Sequence, residues 1–272
     1  MRKSTTNAII FLAVAVLAAF SCSDQAEFIK GSTPIRISVD SKEVRAASIK
    51  ASIIPENDKV YYSCGIVEKS KHSPGQGDLR FMQLSLDSLY RDYIDWRYLL
   101  LRENANYVAP FSSHCLHYGN DSHFFLELKQ DTDYIIYAFC VNPETNQPVG
   151  DLYSLPVRTA KFQPSSMTFK WERRGTQILV TPSNDDEYYI WDVIDKDTLD
   201  GWYGSSAEAY LKDYVQVYAE YGLLRDDLCQ SISSYNFDYL FSEAGSYYFI
   251  VAGYDGEFTT TVYSEEFSID KL

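Results

Sequence analysis

The sequence predicts a mainly β chain built as two tandem β-sandwiches, each interrupted by an inserted α-helix. The first observation behind this is an internal repeat, found by comparing the 272-residue chain with itself. Ile53-Ile54-Pro55, Tyr61-Tyr62, Cys64 and Ile66-Val67 recur 127 residues later as Val180-Thr181-Pro182, Tyr188-Tyr189, Trp191 and Val193-Ile194. Three more pairs follow in the same order: Arg91-Asp92-Tyr93-Ile94 with Lys212-Asp213-Tyr214-Val215, Thr132 to Ala138 with Ser246 to Ala252, and Tyr153-Ser154 with Tyr263-Ser264. The second observation is the texture of the repeated blocks, which are short β-branched and aromatic runs bounded by turn residues. The third is the stretch between the strands, where apolar residues step by three and four.

Taken in order, residues 1–21 have the layout of a secretion signal. Arg2 and Lys3 precede an apolar run from Ala8 to Phe20, and small Ser21 follows. A run of that length is too short to span a bilayer as a helix, which takes roughly 20 residues. Residues 22–33 read as a polar tether. The first domain is expected over residues 34–160. It contains a strand from Ile49 to Ile54, a hairpin loop from Asn142-Pro143 to Pro148, and a final strand from Leu152 to Thr159.

An insertion at about residues 75–118 carries an amphipathic helix from Leu79 to Arg102. Its stripe is Leu79, Met82, Leu86, Leu89, Tyr93, Trp96 and Leu100, widened by Tyr90 and Ile94. Residues 160–167 have linker composition. The second domain, residues 168–272, opens on the strand Thr168-Phe169-Lys170-Trp171. Its insertion at about residues 199–234 holds a helix from Ser206 to Tyr221, with Ser205-x-x-Glu208 as a capping box and Gly222 as its stop. Each helix is expected to cover a face or edge of its own sandwich.

Two stretches carry a family resemblance. Leu128-Lys129-Gln130-Asp131-Thr132-Asp133-Tyr134 resembles the corner of fibronectin type III (Ig-like) domains, where Leu, Pro, Thr and Tyr recur at alternate positions; Gln130 replaces the Pro. In the second copy only Ser246 and Tyr248 match. The resemblance implies a structural role for Thr132, Tyr134, Ser246 and Tyr248, with each tyrosine hydroxyl tied to nearby backbone and its ring in the core.

Ser21-Cys22 resembles the lipobox of bacterial lipoproteins, which implies acylation of Cys22 and membrane attachment through its acyl chains. Phe20 and Ala19 depart from the usual lipobox residues. Ser23, Asp24, Gln25, Ala26 and Glu27 are similar to the acidic tether of Bacteroidales-type surface lipoproteins. The implied location is the outer membrane, lipid-anchored, at the cell surface.

The formal net charge of −14 would fall by two more with loss of Arg2 and Lys3. Nucleic acid as a partner needs a clustered basic patch, and the chain has none. No nucleophile elbow, zinc-protease motif, phosphate loop or dinucleotide fingerprint occurs. The expectation is therefore no catalytic residue, no cofactor and no enzyme.

His114, Cys115, His117 and His123 are zinc-type ligands in one short window, but their spacing is loose and no second pair accompanies them, so a hydrogen-bonded loop is the expected outcome. Asp195-x-Asp197-x-x-Asp200-Gly201 is similar to a calcium loop but lacks its later ligands, and reads as a solvated acidic turn. Cys64 and Cys140 are expected as buried thiols on neighbouring strands.

What stands out is 23 tyrosines. Tyr and Trp offer large amphipathic contact area, and their surplus in the second domain, on the inserted helix and in Tyr235, Tyr239, Tyr247 and Tyr248, points to binding there, with Tyr210, Tyr214, Tyr218, Tyr221 and Trp202 as the candidate surface. The function expected is non-catalytic binding of a protein or glycan at the cell surface. The alternatives are a structural or assembly component of an outer-membrane complex, and a glycan-binding accessory of a polysaccharide-uptake system.

Overall fold

β-Branched and aromatic runs pair into two sandwiches in series in the computed structural model, which describes residues 30–72, 78–102, 109–220, 223–241 and 244–270, the side chains of 99–102 and 220 excepted. The proposed signal, Cys22 and most of the tether lie outside these residues.

The first domain comprises β1 (Ile35–Val44), β2 (Ile49–Pro55), β3 (Tyr61–Glu68), α1 (Leu79–Arg102), α2 (Phe111–Cys115), β4 (His117–Tyr118), β5 (Asp121–Phe125), β6 (Asp133–Asn142) and β7 (Gln147–Arg158). The second comprises β8 (Phe169–Arg174), β9 (Gln177–Pro182), β10 (Tyr189–Asp195), α3 (Lys196–Tyr203), α4 (Ala207–Glu220), α5 (Leu224–Asp227), β11 (Ser233–Asn236), β12 (Gly245–Gly253) and β13 (Tyr263–Ile269).

The sheet orders repeat. One sheet of the first domain runs β1-β2-β5 and the other β4-β3-β6-β7; the second domain has β8-β9-β11 and β10-β12-β13, with antiparallel pairing throughout. This is the strand order of a fibronectin III-like sandwich, so the fold is mainly β with two such domains in tandem.

Side chains alternate across each strand, and their inward members meet between the sheets. Ile35, Ile49, Ile53 and Phe125 pack on Tyr62, Ile136 and Ala138 in the first domain; Ile178 and Val180 pack on Tyr189, Phe249 and Val251 in the second. Each buried Ile, Val or Phe among them contributes roughly 1.5–3 kcal/mol.

The helices form a third layer. Met82, Leu86 and Tyr93 of α1 lie with Phe111 on Phe139, Val141 and Leu152, the outer face of the four-stranded sheet. The stripe is narrower than its sequence pattern: Leu79, Tyr90 and Ile94 are exposed. In the second domain Leu199, Leu211 and Leu224 cover Ile190, Ile194, Ile250 and Ala252 on the outer face of β10-β12-β13.

Local capping differs from expectation in two places. Asp195 is the N-cap of α3, its carboxylate accepting the Thr198 N–H at 2.8 Å. Asp197 and Asp200 therefore stand on a helix, which corrects the expected solvated acidic turn. The cap of α4 sits one residue later than predicted: Ser206 Oγ accepts the Ala209 N–H at 3.2 Å, while Ser205 takes a left-handed φ of 64°.

The domains are tied to each other. Arg45, in the β1–β2 hairpin, lays its guanidinium 4.4 Å from the centre of the Tyr188 ring and donates to the Asp186 carbonyl. Phe124 meets the same tyrosine at 5.1 Å, and the linker is held on the second side by the Ser165 N–H, which donates to Thr259 O at 2.7 Å.

Candidate functional site

The tyrosines of α4 do not form one exposed row. Because α4 lies on the outer face of the sheet, helical periodicity points Leu211 into the layer and leaves Tyr210, Tyr214 and Tyr218 half-buried along its flank. Tyr210 donates to the carboxylate of Asp192 on β10, and Tyr214 donates to Asp227 Oδ2 of α5 at 3.3 Å. The Tyr214 and Tyr218 rings stack at 4.2 Å and 18°.

The flank of α4 faces β11 and the segment after it across a cleft of about 290 Å3. Trp191 and Phe237 form its floor; Tyr214, Tyr218, Tyr235 and Tyr239 stand around it, with Asp192, Asp226 and Asp227 beside them. Tyr235 is 56% exposed and Tyr239 71% exposed. Burial pushes the Asp192 carboxyl up to about 6, opposed by its bonds from Tyr210 and the Val193 N–H. Burial likewise raises Asp227, with the neighbouring charge of Asp226 adding to it. The cleft thus brings flat aromatic rings, phenolic hydroxyls and carboxylates together.

The predicted surface is thus brought together in part. Tyr214 and Tyr218 line the cleft, and Tyr210 buttresses it through Asp192. Trp202, 83% exposed on α3, makes no ring contact among the described residues and is not on the cleft lining. Tyr221 lies outside the described residues. Tyr235 and Tyr239, part of the same tyrosine surplus, stand as cleft walls; the contributor missed was Trp191, whose place in the repeat marked only a strand.

A larger cleft of about 710 Å3 lies where α4, Tyr254 and Phe258 of the second domain meet Glu127 of the first. Its lining sets the charged groups of Glu127, Glu208, Lys212 and Glu257 around Val215, Ala219 and Phe258, and nearly all of it comes from the second domain.

The corner residues divide. Tyr134 is buried, and its hydroxyl accepts the Lys129 N–H at 2.9 Å. Thr132 donates its N–H to Thr159 Oγ1 and its hydroxyl to Gln130 O. In the second domain the expectation needs correcting: Tyr248 points to the outer face, its hydroxyl donating to Glu266, and Ser246 meets Ser268. The inward residue is Tyr247, whose hydroxyl donates to Leu240 O at 2.9 Å. The repeat alignment was one residue out of register there, and a single step exchanges the two faces of a strand.

The histidine–cysteine window is also rearranged. His114 stacks on Trp96 at 3.7 Å, and Cys115 packs beneath the helix layer. Neither joins His117 and His123, which instead meet Cys64 of β3 at the open edge of the first sandwich, with their ligand atoms within 4.8 Å of one another. Burial and the charge of His117 hold His123 down to about 4, while burial and then Asp121 push the Cys64 thiol up to about 12. Cys64, Cys115, Cys140 and Cys229 are all unpaired thiols.

No family model matches the chain, and no curated protein matches it. Among solved structures, the chicken CNTN1 FN1-FN3 domains align at 9% identity, over 89% of this chain and 67% of that one, with a TM-score of 0.26. The central fibronectin-III array of RIM-binding protein aligns at 11% identity, over 92% of this chain and 66% of that one, with a TM-score of 0.23. The chain spans about two thirds of the length of each. With scores this low, the fibronectin III-like fold rests on the strand order and pairing above. No helix among the described residues is long and apolar enough to cross a membrane.

Proposed function

We propose that this is a non-catalytic, lipid-anchored cell-surface protein of the Bacteroidales lipoprotein type, whose second domain binds a neutral glycan in the cleft between α4 and β11. The observation that carries the binding reading is the cleft itself: the stacked Tyr214–Tyr218 pair and the exposed rings of Tyr235 and Tyr239 line it together with the carboxylates of Asp192, Asp226 and Asp227, of which Asp192 and Asp227 already accept from Tyr210 and Tyr214. Sugar rings offer C–H faces to aromatic planes and hydroxyls to carboxylates, so these residue types match that ligand. The same aspartates, within a chain of net charge −14, disfavour uronic or sulfated polymers.

A fibronectin III-like fold suits a binding or scaffold role. The reading as a non-enzyme is supported by the tyrosine hydroxyls that engage Asp192 and Asp227, which are arranged as a binding wall. The anchor is supported by sequence: Arg2-Lys3, the apolar run and Ser21-Cys22. Two acyl chains at Cys22 suffice for stable attachment, where one is marginal.

The test screens the chain against an array of neutral and acidic polysaccharides, and separately labels cells with a fatty-acid analogue. Saturable retention on neutral glycans and label lost with Cys22→Ala support the proposal. Retention on none, with stable co-purification of a neighbouring protein, would favour the assembly role instead.

A further inference from the structure

Cys64, His117 and His123 come from β3, β4 and β5, and so from both sheets of the first sandwich. They meet where the chain leaves one sheet at Tyr118 and enters the other at Asp121. Sequence separation hid this grouping: Cys64 precedes the histidine window by an entire helical insertion.

The second domain supplies an internal comparison. Tyr62 pairs with His117 across β3–β4, and Tyr189 pairs with Cys229 at the same place in the second sandwich. Cys64 corresponds to Trp191 in the repeat. There the polar groups satisfy one another: Tyr189 donates to Ser231 O at 2.7 Å, while Trp191 Nε1 and Cys229 Sγ meet Ser233 Oγ at 3.0 and 3.2 Å.

In the first domain two groups of this cluster are left without partners. The hydroxyl of fully buried Tyr62 and the Nδ1 of His123 are buried atoms with no hydrogen-bond partner among the described residues. Such orphans are costly, roughly 1–3 kcal/mol each, and call for an explanation.

The donors also have a recognisable chemistry. A thiolate sulfur with two imidazoles is a zinc ligand set. His117 Nδ1 lies 2.8 Å from Asp121 Oδ2, the carboxylate–histidine arrangement that fixes the ring tautomer and frees Nε2 for a metal. Zinc sits about 2.0–2.3 Å from such donors, so the three groups need to draw in by about 1 Å. Thiolate and Asp121 together offset a divalent charge; Arg225 of the second domain, donating to Ser122 O at 3.4 Å, is the cation nearby.

We propose that the open edge of the first sandwich binds one zinc ion through Cys64 Sγ, His117 Nε2 and a ring nitrogen of His123. Its fourth position is open to water, on the side of the Tyr62 hydroxyl. The ion joins the two sheets at their least paired edge, where β4 is only two residues long.

The experiment uses the full chain, reduced and stripped of metal with a chelator, then titrated with cobalt(II) and zinc. The expected result is one cobalt per chain with a thiolate-to-cobalt charge-transfer band, displaced by zinc, and a melting temperature that rises with zinc. Cys64→Ser removes the band, His123→Ala abolishes stoichiometric retention, and Asp121→Asn weakens binding roughly 10–100-fold. Cys115→Ser and His114→Ala leave all of this unchanged, although both lie in the same sequence window. Circular dichroism checks that each variant folds; if Cys64→Ser does not, the wild-type spectrum decides alone. Absence of the band in folded wild-type protein, its loss with Cys115→Ser, or binding of copper(I) but not zinc would overturn the proposal.

Discussion

The carboxylate of Asp255, in the second domain, accepts the backbone N–H groups of Ala46 and Ala47 in the first at 2.8 and 2.9 Å. Both oxygens are used, so a single side chain closes the tip of the β1–β2 hairpin against its neighbour. Next to it, Gly256 has a φ of +79°, and a Cβ there would come within 2.2 Å of the Ala47 Cβ.

Asp255→Ala should therefore loosen the domains while leaving each sandwich intact. Two half-buried N–H groups lose a charged acceptor, at a cost of about 1–3 kcal/mol. Calorimetry should resolve two transitions where the wild type shows more nearly one, and small-angle scattering should report a larger radius. Gly256→Val should act in the same direction.

The corner assignment is tested by removing single hydroxyls. Tyr134→Phe strands the Lys129 N–H and Tyr247→Phe strands the Leu240 carbonyl, each costing about 1 kcal/mol. Tyr248→Phe loses only a surface bond to Glu266 and should stay within about 0.5 kcal/mol of wild type. Denaturant midpoints of the three variants give this order, or refute it.

Asp192 makes a pH prediction. Its folded pKa of about 6 lies above the unfolded value near 3.9. The folded state then holds the proton longer than the unfolded chain does, so this group's contribution weakens as pH rises from about 4 to 6 and is constant above. Asp192→Asn keeps an acceptor for Tyr210 but never ionises. It should gain about 1–3 kcal/mol at pH 7 relative to wild type and little at pH 4, measured by thermal melts at both values.

The repeat made the two sandwiches legible because inward strand positions in both copies must satisfy the same core. Tyr62 and Tyr189 are both fully buried, as their shared offset implied. The match failed at Tyr247 and Tyr248, since consecutive tyrosines give no sign of which faces inward. The cleft was half legible. Tyr214 and Tyr218 stood out on a helix and Tyr235 and Tyr239 in the tyrosine surplus, but that they face one cleft follows from the pairing of β11 with β9, a long-range contact without a local pattern. Cys64 was read as a core thiol and the histidines as a local window; only the crossover from β4 to β5 brings them together.

The central claim is ligand binding in the cleft between α4 and β11, and the most direct measurement is calorimetric titration of the chain with a neutral oligosaccharide retained on the array, comparing wild type with Tyr218→Ala and Tyr235→Ala. Binding should be saturable and weakened by each substitution by about 2 kcal/mol, roughly thirtyfold, with Trp202→Ala unchanged. Wild-type affinity in both cleft variants, or loss of binding with Trp202→Ala alone, would contradict it.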